Sequence, residues 1–105
     1  MHGNKPLIYV RGGGDLATGV VARLHRCGFH VVVAEVERPR AVRRLVSLAE
    51  AIYQETVEIE DLRGVRVAGA LAALQSLQRG VIPVMVDPDA DALAPLEPEI
   101  GRAHV

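Results

Sequence analysis

The stretch that decides the fold is Leu7-Ile8-Tyr9-Val10-Arg11-Gly12-Gly13-Gly14-Asp15-Leu16-Ala17. A short apolar run closed by a cluster of glycines reads as a strand buried on both faces, followed by a tight turn. From Leu16 onward, Leu16, Val20, Leu24 and Cys27 recur at intervals of three and four, and Gly28 follows where a helix commonly ends. A helix with one buried stripe is predicted, with Cys27 as a structural thiol among apolar neighbours. His30-Val31-Val32-Val33-Ala34-Glu35-Val36 is then a second buried strand, rich in β-branched residues. Strand, helix and strand form a right-handed βαβ unit.

Past Arg38-Pro39, apolar Val42, Leu45 or Val46, Ala49 and Ile52 keep helical spacing. Ser47-Leu48-Ala49-Glu50 has the spacing of a capping box and can begin a separate short helix. Thr56–Glu60 and Val65–Val67 alternate with a period of two around Asp61-Leu62-Arg63-Gly64, which predicts a hairpin with its glycine in the turn. A further helix is expected over Ala70–Gln78, with Leu71, Leu74 and Leu77 on one face and a stop at Arg79-Gly80. Val81–Pro88 reads as another buried strand, in which Pro83 removes a ladder donor and so belongs at a sheet edge or at a strand start.

Together these elements predict an α/β chain: a Rossmann-like three-layer fold with a mostly parallel sheet and a hairpin insertion, incomplete, over residues 1–88. Residues 89–105 are acidic and proline-containing, with too little apolar surface to fold alone, and are expected to be a disordered tail. Glu99–Val105 matches the translation of a common sequencing-library adapter, so the natural chain is expected to continue beyond it.

Composition narrows the function. Twelve basic and thirteen acidic residues are dispersed along the chain, and the aromatic residues are Tyr9, Phe29 and Tyr53 alone. Neither a basic surface nor a stacking platform for nucleic acid results. No window is apolar and long enough for a membrane span, and Met1–Pro6 has no signal-segment pattern, so a cytoplasmic chain without membrane partners is expected. His2, His25, His30 and His104 lack ligand spacing, and no metal site is expected.

The chemistry concentrates in the glycine loop. Gly12-Gly13-Gly14-Asp15-Leu16-Ala17 fits the G-x-G-x-x-G/A fingerprint directly after a strand and at the opening of a helix. Gly12 allows the tight turn, Gly14 lets a pyrophosphate approach the backbone, and Ala17 keeps the helix close to the sheet. Gly13 lies between them in the loop. Glu35, at the end of the second strand, is placed to hold ribose hydroxyls, with Glu37 as the alternative. Thr18 could reach a phosphate or ribose oxygen. Asp15 either caps the helix or meets a metal or sugar, since at that position it would repel a phosphate. A P-loop is excluded because Val20 and Val21 stand where its lysine and hydroxyl residue belong. The Arg38, Arg40, Arg43 and Arg44 cluster is either a solvated helix face or a contact to a ribose phosphate. No catalytic group is identified.

Val10–Gly19, with Val42-Arg43-Arg44 and Ser47–Tyr53, resembles the YqeB-like accessory proteins of the selenium-dependent molybdenum hydroxylase system. Those proteins are similar in turn to the Rossmann-type domain of the xanthine-dehydrogenase accessory (XdhC) family. The resemblance runs from about Leu7 to Asp87, and the family continues into a second glycine-rich half. It implies an accessory protein that matures, stores or inserts a molybdenum cofactor, including its molybdopterin dinucleotide form. The implied partners are the molybdenum hydroxylase apoenzyme and its cofactor-maturation factors. An NAD(P)-dependent oxidoreductase fragment and a nucleotide-sensing regulatory domain without catalysis fit the glycine loop as alternatives.

Overall fold

A computed structural model describes residues 6–12, 15–36, 47–59, 61–87, 89, 91 and 96, with the side chains of Asp15 and Leu16 excepted. The fold is mixed α/β. Strands β1 (Leu7–Arg11), β2 (His30–Glu35), β3 (Thr56–Ile59), β4 (Leu62–Val67) and β5 (Ile82–Val86) form one sheet in the order β1-β2-β5-β4-β3. Helix α1 (Asp15–Arg26) joins β1 to β2. A 3-10 turn at Leu48–Glu50 runs into α2 (Ala51–Gln54) ahead of β3, and α3 (Ala70–Leu77) joins β4 to β5. All neighbouring pairs are parallel except β3–β4.

Both faces of the sheet are covered over β1, β2 and β5, which is why those strands read as continuous apolar runs. Ile8, Val10, Val31, Val33, Ile82 and Val84 project into one core with Val21 of α1 and Leu48 and Ile52 ahead of β3. Leu7, Tyr9, Val32, Ala34, Val67 and Met85 project into the other with Ala73 and Leu77 of α3 and with Leu96. The opposite placement of α1 and α3 follows from strand order. The step from β1 to β2 and the step from β4 to β5 run in opposite directions across the sheet, so crossovers of the same hand put their helices on opposite faces.

The end of α1 falls as predicted. Gly28 has φ +94°, its amide donates to the His25 carbonyl at 3.0 Å, and the Phe29 amide donates to the Leu24 carbonyl at 3.1 Å. Those two bonds make a Schellman motif, which needs a residue tolerant of positive φ.

Several expectations are corrected. The buried stripe of α1 is Thr18 and Val21 with Ala17 and Leu24 partly covered, whereas Val20 is 46% exposed and Cys27 is exposed. Val20 and Val21 are adjacent, so apolar spacing alone left the rotation of the helix open by about 100°. On α3 the buried residues are Ala73, Ser76 and Leu77, and Leu71 is 72% exposed. Gly64 lies inside β4 and not in the hairpin turn, since Ile59 pairs with Leu62. A Cβ on Gly64 would meet Leu48 Cδ2 at 2.8 Å, so this glycine serves close packing beneath the 3-10 turn.

Pro83 is not on an edge strand, since β5 lies between β4 and β2, but it does stand at the strand start, as the second residue of β5. The Asp87 amide donates toward β2, to the Glu35 carbonyl, and alternate residues of a strand point their amides the same way. Pro83 therefore lacks its donor on the β2 side, where pairing with β2 begins only at Val84. Leu96, inside the stretch expected to be a disordered tail, is fully buried. The predicted helical stripe at Val42, Leu45 and Val46 and the cluster at Arg38, Arg40, Arg43 and Arg44 lie outside the described residues. No helix among the described residues is long and apolar enough to cross a membrane.

Candidate functional site

The carboxyl ends of β1, β2 and β5 surround an open cleft of about 150 Å³ lined by Arg11, Gly12, Ala34, Glu35, Val36 and Asp87. It lies where the chain leaves β1 for α1. Gly12 has φ +91°, and its amide donates to the Ala34 carbonyl at 2.7 Å, which fastens the start of the loop to the end of β2. A side chain at position 12 would find open space but would be strained by the backbone, so the turn itself demands glycine.

Glu35 is nine-tenths buried, and its Oε1 accepts the Val36 amide at 3.0 Å. That local bond folds the carboxylate back over the strand end beside the cleft. Asp87 is also buried. Its Oδ2 accepts the Tyr9 hydroxyl at 2.5 Å, and its Oδ1 accepts the Asp91 amide at 2.7 Å. Tyr9 is completely buried on β1, and because β2 lies between β1 and β5 its ring must cross that strand to reach Asp87. Ala34, in the same core, is the small residue on this route. Burial first, and then the bond to Asp87, push the Tyr9 phenol well above its ordinary value, so it stays a proton donor.

The predicted site residues separate into groups. Gly12 and Glu35 come together in the cleft. Ala17 packs part-buried on the first core. Thr18 is 5% exposed, and its Oγ1 accepts the Leu48 amide at 2.9 Å, so the hydroxyl joins α1 to the 3-10 turn. Asp15 opens α1, while its side chain, with Gly13 and Gly14 and the alternative Glu37, lies outside the described residues. Arg11 and Asp87 were missed as candidates. The signal was available, because each polar residue directly follows an apolar strand run, which is the pattern that singled out Glu35. Among the described residues no group of three His, Cys, Asp or Glu side chains is placed to hold a metal ion.

Over 92 residues the chain is 38% identical to the uncharacterized protein YqeB of Escherichia coli (strain K12). The chain is YqeB-like. The match takes in 88% of this chain and 17% of that protein, so the chain spans less than a fifth of the length of this YqeB relative. No family model and no solved structure matches.

Proposed function

We propose that this chain is the nucleotide-binding portion of a YqeB-like accessory protein that serves a molybdenum hydroxylase, and that the cleft at Gly12 and Glu35 holds the nucleotide. The observation that carries the nucleotide reading is the convergence of two features that are 23 residues apart in sequence. A positive-φ glycine closes β1 and leads to α1, and a buried carboxylate ends β2, both on one cleft. This is the division of labour in a Rossmann-like site: backbone amides and a helix start for phosphate, an acid for ribose.

The fit is partial in size. A cleft of about 150 Å³ is smaller than the roughly 300–1,000 Å³ that encloses a whole ligand of drug size, so it suits one segment of a dinucleotide. The accessory role, with a molybdenum hydroxylase apoenzyme and its maturation factors as partners, is supported by the resemblance of Val10–Gly19 and Ser47–Tyr53 to that family.

The test is thermal unfolding of the chain with NAD, NADP, cytidine diphosphate and molybdopterin dinucleotide in turn. A ligand bound only by the folded state at one hundred times its Kd adds about 2.7 kcal/mol, and each kcal/mol moves the midpoint of a domain this size by about 4–8 °C. The expected result is a rise with at least one of them that Glu35→Gln reduces. No rise with any of the four overturns the nucleotide site. For the accessory role, copurification of the full-length protein with the hydroxylase apoenzyme is expected, and its failure removes that role alone.

A further inference from the structure

We draw no further inference here: the strongest candidate, the side-chain cluster of Arg11, Tyr9 and Asp87 at the carboxyl ends of β1 and β5, belongs to the cleft already described.

Discussion

Tyr9 shows how one polar group can be as consequential as an apolar core residue. Its hydroxyl is the donor that satisfies a buried oxygen of Asp87, so Tyr9→Phe keeps the ring and leaves a carboxylate oxygen short of a partner. A loss of about 1–3 kcal/mol is expected at pH 7, measured by urea unfolding. The pH dependence has a definite sign. The phenol is held protonated in the fold above its ordinary value of 10.0, so its contribution is complete below pH 10. Above that the unfolded chain releases the proton first, and stability falls as pH rises toward the folded-state value. The wild type should therefore weaken more steeply than Tyr9→Phe between pH 10 and 11, and parallel curves would refute the role given to the phenol. Glu55 is the opposite case, a residue whose backbone opposes its side chain. It follows α2 with φ 71° and ψ −43°, a region costly for any residue with a Cβ. Glu55→Gly should raise stability by about 0.5–1 kcal/mol in the same assay, the relief of strain exceeding the extra entropy of glycine in the unfolded chain.

The elements were legible in the sequence where their signals were local. The apolar runs at Leu7–Val10 and Val31–Ala34 and the helix stop at Gly28 each depend on residues within one or two turns of each other. What depended on a distant neighbour was not legible. Gly64 resembles a turn residue until Leu48 is known to lie against it, and the rotation of α1 is settled only by the sheet it packs on. The short helix after Ser47 is the most instructive case. Its capping-box spacing predicted the start correctly, yet Ser47 makes no side-chain capping bond, and the cap comes from Thr18 on α1. At the other end the Arg66 side chain donates to the Ile52 carbonyl at 2.7 Å, and the Arg66 amide donates to the Glu55 carbonyl at 2.7 Å. An element with two turns is too short to persist alone, so these bonds from α1 and β4 hold it. Thr18→Val should cost about 1–3 kcal/mol by leaving the buried Leu48 amide without its acceptor, and Thr18→Ser should recover most of it. Nucleotide affinity should be the same in all three proteins under folding conditions. A selective loss of affinity in Thr18→Val would return the hydroxyl to the ligand site.

Across the whole molecule, strand order was the largest feature hidden from the sequence, because it is set by which faces the connections cover and not by any one segment. The apolar runs establish that β1, β2 and β5 are buried on both sides, but not that β5 inserts between β2 and β4. That insertion makes the candidate site, since it brings Asp87 next to Glu35 and gives Tyr9 an acid to hold. The same hidden geometry accounts for Leu96. Its acidic and proline-rich neighbours argue for a tail, yet Leu96 itself takes an apolar seat on the sheet, in the core of Leu7, Tyr9, Val32 and Met85. The Asp91 amide on Asp87 is a second tie from the same segment to the end of β5. Covering the second face of the sheet and positioning Asp87 are then one structural task, shared by residues that follow the last strand. Leu96→Ala should cost about 2–5 kcal/mol as a buried leucine truncation. A chain ending at residue 88 should lose at least as much, because it gives up the Asp91 bond as well as the leucine. Thermal unfolding of the three proteins checks both expectations. If the shortened chain matches the full one in midpoint, the second core is complete without this segment, and Asp87 keeps its place without the Asp91 bond.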